Sequence, residues 1–180
     1  CKPETENVLA KDGKIVVSQT YAGNIRANHT LFLDRGVLRW QLELENGSAQ
    51  ECWLEPSLRL PLKLSGSELY WDGSHEVSAS KAPDRYSKLD DTFPLTALSS
   101  GKYVLALGMS PIISTSYLER GIDRKSRMFF GTRTVLPPCG KNRFEFILMV
   151  SRNNAGWRDA VQNYYRVFDE NFRAVAGVDP

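Results

Sequence analysis

Histidine and cysteine are scarce in this 180-residue chain, and long apolar runs are missing. The two histidines, His29 and His75, stand far apart, and Cys1, Cys52 and Cys139 share no metal-ligand spacing, so no metal site is expected. No glycine-rich phosphate loop and no nucleophile elbow occur, and no cofactor is expected. Basic runs are absent and the formal net charge is only +2, which argues against a nucleic-acid partner. The longest apolar stretches, Tyr103 to Leu107 and Phe144 to Val150, are strand-sized. They fall well short of the roughly 20 residues a membrane-spanning helix needs. Helical periodicity is missing from all but the last stretch of the chain. Internal repeats and low-complexity tracts are absent too.

What the chain has is a succession of short strand signals. Composition is that of a globular protein, at 42% hydrophobic and 24% charged. A chain of this length buries roughly 70% of its unfolded surface, enough for one core. Lys14 to Gln19 reads as a first strand after the turn pair Asp12-Gly13, and Leu31 to Leu33 as a second. From Val37 to Leu44 the pattern alternates strictly: Leu38, Trp40, Leu42 and Leu44 on one face, Arg39, Gln41 and Glu43 on the other. Trp40 therefore reads as core, while Trp53 is ambiguous. Asn46-Gly47 predicts a hairpin returning as Gln50 to Leu54. Leu58 to Leu64 alternates around Pro61, which suits an edge strand. A short strand, Leu69 to Trp71, precedes a polar loop expected from Ser74 to Asp91. Strands resume at Phe93 to Leu98 and at Tyr103 to Gly108, the latter apolar throughout as for burial on both faces. Ile112 to Leu118, Arg127 to Leu136 and Asn142 to Val150 complete the set. The pattern predicts a mostly β chain: an antiparallel β-sandwich over 13–180 with one C-terminal helix.

That helix is expected over 155–175. Trp157, Ala160, Val161, Tyr164, Val167, Phe168 and Phe172 follow the spacing of one helix face. Asn153 or Asn154 is the expected cap, and Asp159 sits in the first turn, where the helix dipole favours a carboxylate.

The first twelve residues read as a polar tether. A chain beginning with Cys1 and continuing Lys2-Pro3-Glu4-Thr5-Glu6-Asn7 resembles a mature bacterial lipoprotein, with Cys1 the lipid attachment point. That implies a cell-envelope location, periplasmic or outer-surface, or secretion, with the membrane met through the anchor only. An oxidising compartment permits a Cys52–Cys139 disulfide without establishing it. Asn28-His29-Thr30 and Asn46-Gly47-Ser48 match the glycosylation pattern, which matters only in a secreted eukaryotic protein; as turn residues both asparagines have a sufficient explanation.

Three stretches in order carry a further resemblance: Phe93-Pro94-Leu95-Thr96-Ala97-Leu98 with Leu105-Ala106-Leu107-Gly108-Met109; Phe144-Glu145-Phe146-Ile147-Leu148-Met149-Val150; and Gly156-Trp157-Arg158-Asp159-Ala160-Val161 followed by Tyr164-Tyr165-Arg166-Val167-Phe168. Over 93–172 the chain resembles the supersandwich domains, related to galactose mutarotase, that precede the catalytic barrel in bacterial glycoside hydrolase-like proteins. The resemblance implies a supersandwich and a helix that leads into a (β/α)8 barrel. It also implies a domain interface on Trp157, Arg158, Tyr165 and Arg166. The chain is shorter than a full supersandwich and includes no barrel, so it is expected to be either a piece of a longer enzyme or a sandwich standing alone.

Carbohydrate is the expected partner. Aromatic rings take the apolar face of a pyranose while amides and carboxylates take its hydroxyls. Tyr70, Trp71, Asp72 and His75, at a strand end entering the long loop, are the candidate carbohydrate-binding residues; the competing reading places Trp71 in the core. An acid/base pair could be assembled from His75 with Asp72, Glu76 or Asp84, but loop residues of this kind are usually solvated, and no catalytic residue is assigned. Asp84, Asp90 and Asp91 lack a calcium-loop pattern. The function expected is a non-catalytic sandwich domain of a carbohydrate-active protein. A stand-alone envelope glycan-binding or assembly lipoprotein is the alternative, and a mutarotase-like isomerase a weaker one.

Overall fold

A computed structural model describes residues 2–82, 86–88, 93–112 and 117–172, the strand 86–88 by its backbone. The strands are β1 (Thr5–Lys11), β2 (Lys14–Tyr21), β3 (Ile25–Asp34), β4 (Val37–Asn46), β5 (Cys52–Leu54), β6 (Ser57–Pro61), β7 (Leu69–Trp71), β8 (Glu76–Ser78), β9 (Tyr86–Lys88), β10 (Leu95–Ser100), β11 (Tyr103–Met109), β12 (Leu118–Ile122), β13 (Arg127–Thr132), β14 (Thr134–Leu136) and β15 (Lys141–Arg152). Two helices follow, α1 (Trp157–Val167) and α2 (Asp169–Phe172).

All the pairings are antiparallel. The large sheet runs β1-β2-β3-β4-β15-β11-β10-β7-β8, the smaller one β6-β13-β12-β9, and β5 and β14 form a separate ribbon. The molecule is a β-sandwich. One core lies between the sheets, where Leu42, Phe144, Phe146 and Leu107 from the large sheet meet Leu118, Met128 and Phe130 from the small one. A second core lies on the outer face of the large sheet, where Ala160, Tyr164 and Val167 of α1, with Phe168, cover Leu95, Val104, Ala106 and Ile147. The continuous apolar run of β11 follows from this layering, since it is covered on both faces.

The hairpin turns are set by backbone sterics. Asp12-Gly13 (φ 52° and 71°) joins β1 to β2, and Arg35-Gly36 (φ 49° and 78°) joins β3 to β4. Two consecutive positive-φ residues give the turn whose twist matches that of the flanking strands. Asn46-Gly47 makes no such hairpin. Both edges of β4 are already occupied, by β3 and β15, so β5 pairs with β14 instead. Asn46 is fully buried and works through its side chain. Its amide donates to the carbonyls of Gln50 (2.7 Å), Leu136 (3.1 Å) and Pro137 (3.1 Å), and its oxygen accepts from Ser48 N and Oγ.

Other expectations are corrected. Part of the predicted tether, Thr5 to Lys11, is strand β1 in full register with β2. The predicted loop after Trp71 contains β8, which folds back on β7 around Asp72-Gly73, and β9. The run Arg127 to Leu136 divides at Arg133 into β13 in the small sheet and β14 in the ribbon. The strand expected from Ile112 starts at Leu118 and continues to Ile122; residues 113–116 lie outside the described ones. Gly156 (φ 68°) is the N-cap of α1 rather than either asparagine. Asn153 Oδ1 accepts from Gly156 N, and Asp159 Oδ2 accepts from the amides of Asn154 and Ala155, both at 2.7 Å.

Candidate functional site

The small sheet covers only part of the large one. Its edge strand is β6, and one face of β2, β3 and β4 stays accessible in a groove bordered by β5 and β6. Strand register puts Gln19, Tyr21, His29 and Trp40 on that face, because His29 lies opposite Leu42 and Val17, and Trp40 opposite Leu31 and Phe146.

His29 and Trp40 form the floor. Their rings are stacked, with centroids 5.6 Å apart and planes 10° from parallel, and Trp40 stacks in turn on Phe146 at 4.8 Å. An indole N–H can only donate, so the Trp40 Nε1 contact at 3.1 Å makes His29 Nδ1 an acceptor. The ring proton is then on Nε2, which donates to Gln19 Oε1 at 3.0 Å. Tyr21 Oη donates to the same oxygen at 2.7 Å, and the Gln19 amide donates to Glu6 on β1. Burial lowers the His29 pKa from its ordinary value against a smaller opposing pull from Glu6, and raises that of Tyr21, with Glu6 adding to the rise. Both groups are held neutral at physiological pH.

The groove has two lobes that meet at the His29–Trp40 pair. One, of about 440 Å³, is closed by β5 and includes Tyr21, Ile25, Leu54 and Trp53. Trp53 is 70% exposed, its indole nitrogen donating to Glu51 at 3.3 Å. The other lobe, also about 440 Å³, lies between Val17, Gln19 and Leu31 and the strand bearing Ser57 and Leu58. The carboxylates nearest the groove are engaged: Glu55 pairs with Arg133 at 2.9 Å, and Glu6 takes the Gln19 amide. The site offers flat rings, an amide, a phenol and an imidazole whose two nitrogens are both in use. It is built to hold a polar molecule with an apolar face.

The residues singled out from sequence lie elsewhere. Tyr70 is fully buried between the sheets, and Trp71 is 4% exposed beneath Trp157. Neither ring presents a face to solvent, so Trp71 is core and the expectation that these two stack on a sugar is corrected. Asp72 is also buried, its Oδ1 accepting from the amides of Ser74 (2.8 Å) and His75 (2.7 Å) to fix the β7–β8 turn. Only His75 is open to solvent, with its Nδ1 4.0 Å from Asp72 Oδ2. Asp84, Asp90, Asp91 and Cys1 lie outside the described residues. Cys52 and Cys139 are both free thiols. Among the expected interface residues, Trp157 is half-buried under the Arg158 guanidinium at 4.5 Å, while Tyr165 and Arg166 are exposed.

Sequence reasoning missed the groove for a definable reason. Alternation alone reads Trp40 as core, His29 stands far from the other histidine, and Glu6 falls within the expected tether. The signal was period-two alternation in β2 that puts Gln19 and Tyr21 on the same face as Val17.

No protein-family profile and no curated protein matches this sequence. Solved structures do match. A galactose mutarotase-like protein from Lactobacillus casei superposes with a TM-score of 0.57 at 11% identity, over 81% of this chain and 73% of that one. A galactose mutarotase related enzyme from Lactobacillus acidophilus gives 0.55 at 9% identity, over 84% and 72%. A GH36 α-galactosidase from Geobacillus stearothermophilus gives 0.59 at 11% identity, over 93% of this chain but 30% of that one. The likeness is one of fold. The chain is a supersandwich of the galactose mutarotase-like type, the fold its sequence resembles.

Proposed function

We propose that this chain is a non-catalytic, carbohydrate-binding sandwich domain of a glycoside hydrolase-like bacterial protein. The observation that carries the reading is the groove itself, where the stacked His29–Trp40 rings form a flat floor with Trp53 on the rim and Tyr21 and Gln19 beside them. Such a surface suits a pyranose, whose C–H face meets the rings while its hydroxyls exchange hydrogen bonds with the polar groups. The fold is shared with proteins named for galactose, and the matching α-galactosidase is described in complex with stachyose and with raffinose. A binding role is favoured over mutarotation because both nitrogens of His29 are engaged and the nearby carboxylates are paired, leaving no poised acid/base pair among the described residues of the groove.

The helical surface is the proposed seat of a catalytic barrel, with Trp157, Arg158, Tyr165 and Arg166 at the contact. This reading rests on the α-galactosidase, of which the chain matches less than a third. The envelope location through lipid on Cys1 belongs to the same proposal and rests on the sequence alone. Metabolic labelling of the natural protein with a fatty-acid analogue tests it, and an unlabelled Cys1 overturns it.

The binding reading is tested by calorimetric titration of the folded chain with galactose, raffinose and stachyose. Saturable binding that Trp40→Ala and Trp53→Ala each weaken at least tenfold, and His75→Ala leaves intact, is the expected result. Binding that survives both tryptophan substitutions overturns the assignment to this groove.

A further inference from the structure

The groove is longer than one sugar ring, and its two lobes share one platform. Each lobe is the size of a small-molecule pocket, and each is lined by His29 and Trp40. The lobes differ in their other walls: Trp53 and Leu54 of β5 on one side, Ser57 and Leu58 of β6 on the other. Beyond the second lobe the same sheet face continues without a cover among the described residues. Register places Ala10, Ile15 and Leu31 in the row of Trp40, and Val8 and Val17 in the row of His29. Val8 is 58% and Ile15 49% exposed there. Neighbouring strands lie about 4.8 Å apart, so the floor from β4 to β1 spans roughly 14 Å across three strand gaps, more than a single pyranose covers.

Charge limits the occupant. Of the acidic and basic residues at the groove, Glu55 pairs with Arg133. Arg59 donates to Ser57 Oγ at 3.1 Å and stands over the Phe129 ring, with its Nη1 3.7 Å from Asp123. Glu6 takes the Gln19 amide. The charged side chains at the groove are thus of both signs and each is held by a partner, so neither sign dominates; the rest of the lining is imidazole, indole, amide, hydroxyl and aliphatic side chains.

Resting on the carbohydrate-binding reading above, we propose that the ligand is a neutral glycan segment of at least two linked pyranose rings. One ring lies between Trp53 and the His29–Trp40 platform, and the next lies over Val17 and Leu31 against Leu58. The linkage crosses the platform that the two lobes share. A free monosaccharide fills one lobe and gains only part of the available contact.

The test is a length series on the folded chain: galactose, melibiose, raffinose and stachyose, with glucose, cellobiose and cellotetraose as a second neutral series, followed by calorimetry. In at least one series, affinity is expected to rise tenfold or more from one ring to two or three and then level off. Val17→Arg, which projects a long cation into the second lobe, reduces the gain from added rings to less than twofold. Tyr103→Ser, on an exposed strand end outside the groove, leaves the series unchanged. Circular dichroism confirms that each variant is folded. Single rings that bind as well as longer ones overturn this inference while leaving the carbohydrate-binding reading intact. Tighter binding of tri-galacturonate than of any neutral trimer overturns the neutral assignment. A folded chain that binds none of the sugars overturns both readings.

Discussion

Trp71 and Trp157 lie face to face, their ring centroids 4.6 Å apart and their planes 7° from parallel. The contact joins strand β7 to the first turn of α1, and Phe93 closes it from the side at 6.1 Å. It explains why an aromatic strand end that looks like a sugar platform in one dimension is a clamp in three.

Removing the covering ring should therefore cost stability. Trp157 is half-buried, so Trp157→Ala is expected to destabilise the fold by about 2–3 kcal/mol, less than a fully buried tryptophan. In a chain of this size that is a fall in Tm of roughly 4–12 °C. Trp157→Phe should lose less than half as much. A thermal melt unchanged by Trp157→Ala would show that the helix does not depend on this stack.

Asn46 donates to three carbonyls, of which Gln50 O also accepts from Ser48 Oγ and Pro137 O from Gly140 N, and its own oxygen accepts from Ser48 N and Oγ. Asn46→Ala is expected to cost about 1–3 kcal/mol, because the buried bond to the Leu136 carbonyl is lost and the Ser48 amide and hydroxyl lose their acceptor. Gly47→Ala should also destabilise, since a Cβ there would meet the Asn24 side chain at 2.2 Å. Urea denaturation midpoints measure both. An Asn46→Ala variant as stable as the parent would mean those carbonyls find other donors.

His29 makes stability pH-dependent in one direction. Burial lowers its folded pKa below the ordinary 6.5, so as pH falls the unfolded chain takes up this proton first. The group contributes no pH dependence above about pH 7.5, and its stabilising effect declines as pH drops through 6.5 towards its folded value. Protonation would also put a proton on Nδ1, opposite the Trp40 N–H. Denaturant midpoints at pH 7.5 and 5.5 should differ more for the parent than for His29→Gln. Equal differences would place the pH sensitivity elsewhere.

Trp53 should behave in the opposite manner to Trp157. At 70% exposure it stabilises little, and Trp53→Ala is expected to shift stability by no more than about 0.5 kcal/mol. Its loss is read in ligand binding and in the fluorescence change on adding stachyose. A large fall in Tm in Trp53→Ala would show that the residue is structural.

Much of the sandwich could be read from the sequence. Alternation in Val37 to Leu44 and in Asn142 to Val150, the unbroken apolar run of β11, and the helical spacing after Gly156 each report how one element is buried, and burial periodicity is local. The candidate site was harder to read. Gln19, His29 and Trp40 come together only because β2, β3 and β4 pair in a particular register, and a slip of one residue would turn them to the other face. The Asn46-Gly47 signal failed for a related reason: a turn dipeptide proposes a hairpin, but a strand whose two edges are taken cannot accept one.

The sequence by itself determined the class of the fold, the antiparallel character of its strands and the place of its one long helix, because these follow from residue-by-residue alternation and from turn stereochemistry. Only the tertiary structure decided which tryptophans are covered. Trp40, Trp53, Trp71 and Trp157 are alike as residues. Their exposure depends on which sheet ends where and on what the terminal helix lies upon, and those are properties of pairing between distant strands.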